Sequence, residues 1–454
     1  MSAVLSRRLF LAAAAATAWP SLTSRAHTAT ATPLRVGLIG CGIRGRSLTA
    51  SLPATAKIVA LCDCATSRID EMRQPTAQWR DIIGRFARTD AAACQPWQDY
   101  RRMIDAGGLD AVLVATPDHH HVPAATHALE AGLHVYLEKP VSLRIAEGRA
   151  LVETATASGR VLQVGSQQRS MAANRRACQF VREGGLGPLS RVRLPNYPGP
   201  LRDPDWSAEP IPADLDWRLF LGNATLRPHN RRLWVKDRFD VDGVPWRGWD
   251  LYRDYSGHLT TNWGAHSIDM VQLALGRDET GPVRVEPLAV DEEMARRLAA
   301  DWHRKWHKKT PAPGGSFAAE SRFHPVALTY ADGLRVELLP GVANATFEGA
   351  AGRLEIPRNK FKADPKSLLP PPSPSETAEW EGPGFVARPH LQNWLDAIAG
   401  RAALHAPVEA GHRTATVCHL INIARQLGRP LDWDPAAERF VGDDEANGLR
   451  GGRG

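Results

Sequence analysis

LRVGLIGCGIRG, residues 34 to 45, runs an apolar strand directly into Gly40-x-Gly42-x-x-Gly45. That glycine spacing is common on its own, and its place at a strand end opening a helix gives it meaning. Gly40 permits a tight turn, Gly42 a close backbone approach to a pyrophosphate, and Gly45 close helix packing; Ile43 and Arg44 complete a cofactor-binding turn at the helix N-terminus. A second strand, Lys57 to Cys62, ends at Asp63, 18 residues beyond Gly45. A carboxylate there accepts hydrogen bonds from an adenosine ribose and repels a 2′-phosphate, which favours NAD. Arg68 keeps NADP open, because a cation five residues on can turn toward that phosphate.

Outward from this unit, residues 109 to 142 read LDAVLVATPDHHHVPAATHALEAGLHVYLEKPVS: strand, loop, amphipathic helix, strand, loop. Thr116-Pro117-Asp118-x-x-His121, then Ala131-Gly132-x-His134-Val135, then Glu138-Lys139-Pro140 stand in order with helix-sized gaps. In these motifs the chain closely resembles the Gfo/Idh/MocA oxidoreductases, the glucose-fructose oxidoreductase and inositol dehydrogenase family. The resemblance implies an α/β protein with an N-terminal Rossmann dinucleotide-binding domain and a C-terminal α+β domain built on a large open, mostly antiparallel sheet. It also implies that Lys139 lies beside the reacting carbon, with Thr116, Pro117, His121 and Glu138 around the cofactor. Read by itself, Lys139 follows a buried strand, where desolvation lowers an ammonium pKa toward useful acid–base chemistry. His119-His120-His121 is not read as a metal site, since three consecutive side chains in a turn rarely converge on one ion; His119 and His120 are read as loop residues.

DLYRDYSGHLTTNWGAHSIDMVQLALG, residues 250 to 276, resembles the second signature of the same family. Carried over, His266 is the proton-transfer histidine, Asp269 the helix aspartate, and Asn262 stands where an acid is usual. His258 likewise replaces the second glycine of the turn. An asparagine can orient a neighbour but cannot take a proton or raise a histidine's pKa as a carboxylate does.

The strand VLQVGSQQR, Val161 to Arg169, places Gln167 and Arg169 at the carboxyl end of the first sheet as substrate contacts, with a salt-bridged surface arginine as the other reading for Arg169. Hairpin signals at Asp332-Gly333 and from Gly349 to Gly352 predict antiparallel strands later in the chain. Helices are expected near His390 to Ala399 and His412 to Leu427, after the proline-rich loop Leu368 to Glu376. Six of the 14 tryptophans (Trp206, Trp217, Trp234, Trp246, Trp249 and Trp263) crowd into residues 206 to 263 and suit the C–H faces of sugar rings, Trp263 being the one assigned to substrate. The basic amphipathic helix Glu292 to Lys309, with His303 and His307, lacks a zincin glutamate and reads as a solvated or subunit-contact helix.

At 454 residues the chain exceeds one ordinary core, and 43% apolar with 23% charged residues exclude a disordered or fibrous protein. The net charge is 56 − 49 = +7, of which Arg7, Arg8 and Arg25 sit in an acid-free leader; the remaining excess is too small and scattered for a nucleic-acid partner. Six cysteines lack the density of a disulfide scaffold and are expected to be buried thiols. Ser6-Arg7-Arg8-Leu9-Phe10-Leu11 before a short alanine-rich run resembles a twin-arginine (Tat) export signal, so residues 1–31 are expected to be cleaved and the mature protein periplasmic. The expected organisation is then a Rossmann domain over 33–165, a substrate-binding domain over 166–435 and a frayed tail over 436–454.

The function these readings imply is an NAD(P)-dependent oxidoreductase acting on a sugar, polyol or glycoside. The alternatives are an NAD-dependent glycoside hydrolase or lyase working by transient oxidation, a branch of the family that departs from Glu-Lys-Pro where this chain retains it, and a sugar-binding relative without turnover. The resemblance also implies a homo-oligomer joined through the second-domain sheet.

Overall fold

A computed structural model describes residues 32–202, 207–234, 248–306, 321–378 and 387–451, without the side chains of 302–306. The expected leader, Trp206, Trp246 and His307 lie outside the described residues, as does the side chain of His303. Six strands build the first sheet: β1 (Leu34–Ile39), β2 (Ala56–Cys62), β3 (Gln95–Trp97), β4 (Ala111–Val114), β5 (His134–Leu137) and β6 (Leu162–Val164). They are all parallel, in the order β3-β2-β1-β4-β5-β6. Chain order reverses between β1 and β4, which opens a crevice at their carboxyl ends. Continuous apolar runs suit strands covered on both faces, and all four residues of β4 are buried. A later segment adds to the cover: the helix Arg388–Ile398 returns to this sheet and sinks Leu391 and Trp394 among Val36, Leu38 and Tyr136.

The second sheet has nine strands: β7 (Leu189–Pro195), β8 (Arg284–Pro287), β9 (Val326–Thr329), β10 (Arg335–Leu339), β11 (Ala345–Gly349), β12 (Gly352–Ile356), β13 (Lys362–Asp364), β14 (Leu431–Asp434) and β15 (Arg439–Phe440). Among the described residues only β7 and β10 pair in parallel in this sheet; the other neighbours are antiparallel. Both hairpins read from the sequence are present, β9 with β10 and β11 with β12. The helix Val408–Leu427 is buried along most of its length and touches the helix Ile145–Ser158, the helix Ala265–Ala274 and β8, so it ties the first layer to the second. Among the described residues no helix is long and apolar enough to cross a membrane.

Two expectations are corrected here. The strand drawn from Val161 to Arg169 stops at Val164, and Gln167–Ser170 form a short helical turn instead, because the segment must bend to leave the sheet. The tail does not fray over its described part: β15 adds to β14, the helix Asp444–Gly451 follows, and Ala446 and Phe440 are buried. Its acids explain why. Glu438 holds Arg149 and His412, and Asp443 holds Arg429, so charges that read as solvated along the sequence are anchors in the fold.

Candidate active site

The glycine turn forms as its spacing demands. Gly40 has φ of +96°, and a Cβ there would lie 2.5 Å from the Ala115 carbonyl oxygen. A Cβ on Gly45 would lie 2.0 Å from the carbonyl oxygen of Gly40, so the helix Ile43–Ser51 can approach its turn only without a side chain. A Cβ on Gly42, by contrast, meets nothing within 4 Å and would point into open space. No side chain caps this helix at Gly42, which leaves its positive end available to an anion. Asp63 stands at the end of β2, where its carboxylate accepts from the backbone N–H of Cys41 (2.9 Å) and of Ala65 (3.0 Å).

These groups line one cavity of about 690 Å³ that runs from the glycine turn past Thr116, Pro117 and His121 to Glu138, Lys139, Gln167, Asn262, Trp263 and His266. Ile43, Arg44, Asp63 and Arg68 line it too, and so do Trp234 and Trp249, while Trp217 packs in a core with Phe220. Arg68 lies over the Trp234 ring at 5.5 Å. His119 and His120 both direct Nε2 at the Phe220 carbonyl oxygen, at 2.9 and 2.8 Å.

Around Lys139 the geometry is tight. Arg44 Nε donates to Glu138 Oε1 at 2.6 Å across the cavity floor, and a Cβ on Gly165 would strike that carboxylate at 2.7 Å. The ring nitrogens of His121 lie 2.5 Å from the Pro140 carbonyl oxygen and 3.1 Å from that of Thr116, and burial pulls its pKa down to about 4. Lys139 Nζ donates to Asn262 Oδ1 at 2.9 Å; burial lowers its pKa, against the pull of Glu138, Asp118 and Asp250. His266 is held neutral, well below the ordinary imidazole range, by burial and then by Arg358. Arg358 Nη2 lies 3.3 Å from His266 Nε2. A guanidinium only donates, so Nε2 is the unprotonated nitrogen of that ring.

Arg169 is not where the sequence reading put it. It is 2% exposed and does not line the cavity; Nε donates to both oxygens of Asp269 at 2.8 and 3.0 Å, and its Nη atoms donate to Asp278 at 2.9 and 2.8 Å. Asp269 faces this pair and Thr414 rather than the cavity. Sequence reasoning also missed Asp250 and Arg358, both on the cavity wall. Asp250 heads the quoted segment 250 to 276, but nothing in its spacing marks it.

Two family models match the chain, an oxidoreductase family with an NAD-binding Rossmann fold over residues 34–166 and the C-terminal alpha/beta domain of the oxidoreductase family over 203–451. The chain belongs to the Gfo/Idh/MocA oxidoreductase family. Among curated relatives, levoglucosan dehydrogenase of Pseudarthrobacter phenanthrenivorans is 29% identical over 187 residues, 41% of this chain and 44% of that protein. A glycosyl hydrolase family 109 protein of Stenotrophomonas maltophilia is 28% identical over 195 residues, 42% and 41% of the two chains. These alignments span less than half the length of either relative. Among solved structures, aldose-aldose oxidoreductase of Caulobacter crescentus superposes with a TM-score of 0.54 at 19% identity, over 88% of this chain and 99% of that one, which shows the shared fold.

The residues present fit the NAD of a Gfo/Idh/MocA protein: an uncapped helix N-terminus, a turn with room at Gly42 and a carboxylate at Asp63 meet in one cavity. The two glycines separate fold from binding. Gly42→Ala is expected to leave the melting temperature unchanged and to weaken NAD binding by about tenfold or more, since the added methyl fills space that a pyrophosphate needs. Gly45→Ala is expected to lower stability as well, by about 1–3 kcal/mol, because backbone must shift. Thermal melts beside NAD titrations check both; equal effects of the two substitutions would refute this division.

Proposed function

We propose that the protein is an NAD-dependent oxidoreductase that oxidises a hydroxyl-bearing carbon of a sugar, polyol or glycoside and works in the periplasm. One observation carries the reading: Lys139, Asn262 and His266 line the same cavity as the glycine turn. Bound NAD supplies the two-electron acceptor for the C–H hydrogen. Lys139 Nζ donates to the substrate oxygen and stabilises its developing negative charge. His266 takes the hydroxyl proton at Nε2, whose lone pair accepts from Arg358 Nη2 until the substrate hydroxyl replaces that donor, so that the carbinol loses one hydride and one proton and becomes a carbonyl. Trp263 and Trp249 offer flat faces to a ring.

The depressed basicity of His266 makes its protonated form a ready donor, which suits the return of the proton to a carbonyl. A cycle that oxidises and then reduces also fits an exported protein, because free dinucleotide is scarce outside the cytoplasm. Arg7 and Arg8 support export through the twin-arginine machinery with nucleotide already held, and the open second-domain sheet supports assembly into a homo-oligomer through that face.

Native mass spectrometry of the protein purified from the periplasm without added nucleotide tests these points together. The expected species is a leader-free oligomer carrying near-stoichiometric NAD(H), whose redox state changes on adding a sugar and reverts with a second one. A protein that is empty and binds no added nucleotide overturns the oxidoreductase reading in favour of sugar binding. A retained leader overturns export, and a lone subunit overturns assembly. Free sugar released from a chromogenic glycoside, with no net change in cofactor, replaces the reading with the hydrolytic one that the likeness to the Stenotrophomonas protein motivates.

A further inference from the structure

Two departures of this chain from the family pattern, Asn262 for an acid and His258 for a glycine, end on a single side chain. His258 holds φ of +54°, the left-handed region a glycine favours, and from there its Nδ1 lies 3.2 Å from Asp250 Oδ2 and 3.0 Å from the Asp250 carbonyl oxygen. Asn262 Nδ2 donates to Asp250 Oδ1 at 3.4 Å, while Asn262 Oδ1 accepts from Lys139 Nζ at 2.9 Å. An ammonium can only donate and a carboxylate can only accept, so the amide has one orientation that satisfies both, with oxygen toward lysine and nitrogen toward Asp250. Ser256 Oγ reaches the same carboxylate at 3.5 Å and donates to Asp118 Oδ2 at 2.9 Å. Asp250, His258, Ser256 and Asp118 are all buried, and Asp250 lies on the cavity wall.

We propose that Asp250 is a positioning residue for the oxidation. It supplies, from twelve residues upstream and through the Asn262 amide, the negative charge missing at position 262, and so holds Lys139 as an aimed ammonium; His258 clamps it in place. The inference rests on the oxidoreductase reading for its consequence but not for its geometry. A hydrogen bond ending on a charge is worth more than a neutral one, and its loss propagates to the reacting oxygen only through Lys139. The charged and titratable groups facing Lys139 are Glu138 on its own strand end, Asp118 from the loop after β4, Asp250 from the second domain, Arg44 from the first helix, the neutral rings of His121 and His266, and the Cys418 thiol. Asp118, which burial and then the Asp250 carboxylate push up to about 7, shares its compensating charge with Asp250.

The test compares Asp250→Asn, Asn262→Asp and the double variant, each checked for wild-type melting temperature and NAD content. Asp250→Asn is expected to lower kcat about 10–100-fold with KM nearly unchanged, and the double variant, which moves the acid back to position 262, to recover most of that loss. A second readout needs no turnover: the Lys139 amine is titrated by NMR in ε-13C-lysine-labelled protein, its signal assigned with Lys139→Arg. Its pKa is expected to fall in Asp250→Asn and to return in the double variant. An unmoved lysine pKa in Asp250→Asn refutes the proposal, as does a double variant no better than the single one. A shifted pKa in a protein that oxidises no sugar refutes the oxidoreductase reading and leaves the coupling of Asp250 to Lys139 standing.

Discussion

Lys139→Ala is expected to lower kcat by about 10²–10⁴-fold while the protein still folds and retains NAD. The magnitude follows from where the ammonium sits. Lys139 is half-buried, and its Nζ is fixed 2.9 Å from Asn262 Oδ1 on the wall that also carries His266. Among the described residues, the other cations on that stretch of wall, Arg44 and Arg358, are directed at Glu138 and His266, so neither replaces an ammonium at the substrate oxygen. The side chain is a counter-charge to Glu138, Asp118 and Asp250 but stands on the cavity wall and in none of the hydrophobic clusters, so its removal spares the core. Lys139→Arg keeps the charge but spreads it over a planar fork and is expected to recover only a small part of the rate. Steady-state kinetics with the best sugar found for the wild type, beside nucleotide content by mass, checks this; activity within tenfold of wild type in Lys139→Ala would sink the assignment.

Arg169→Ala is expected to destabilise the protein by about 3–5 kcal/mol, the cost of leaving the buried Asp269 carboxylate without its counter-charge. Arg169 joins three parts of the chain: its own turn Gln167–Ser170, the helix Ala265–Ala274 through Asp269, and the loop beyond that helix through Asp278. Without it, Asp269, 2% exposed in the intact protein, keeps among the described residues the Thr414 hydroxyl at 3.0 Å. Burial already raises the Asp269 pKa, and the loss of Arg169 raises it further, so the variant's folded state binds a proton more readily than its unfolded state. The sign follows: stability of the variant falls as pH rises, and its deficit against wild type narrows on acidification. Chemical denaturation at two pH values reads both effects, and a deficit under about 1 kcal/mol would refute the account. Because His266 stands on the same helix, activity is expected to drop with stability.

What the sequence made legible was local in character. The strand, the glycine turn and Asp63 are fixed by backbone requirements within some thirty residues, and the first sheet was readable for the same reason. Both hairpins announced themselves by Asp332-Gly333 and Gly349 to Gly352. Arg169 was misplaced because its partners, Asp269 and Asp278, lie about a hundred residues away, and a lone arginine after a strand carries no mark of them. Asp250 was passed over because its meaning depends on His258 adopting a left-handed backbone and on Asn262 turning its amide, neither of which is written in residue spacing. The tail was misread through composition: glycines and acids suggested solvent, yet Glu438 faces Arg149 of a distant helix and Asp443 faces Arg429 of the link before β14.

The return of the helix Arg388–Ile398 to the first sheet has a consequence for how the protein comes into being. Trp394, completely buried against Tyr136, and the Ser51 hydroxyl, whose oxygen accepts from the Ala387 N–H, belong to a layer whose two sides are separated by 258 residues of chain at the first contact and 336 at the second. His390 seals the joint, with Nε2 2.8 Å from the Val164 carbonyl oxygen and its own carbonyl oxygen accepting from Gln163 Nε2 at 2.7 Å. During synthesis the nucleotide-binding layer therefore emerges first and is finished almost last. Until residue 398 clears the ribosome, the growing chain carries an open apolar socket, and the two layers mature as one event.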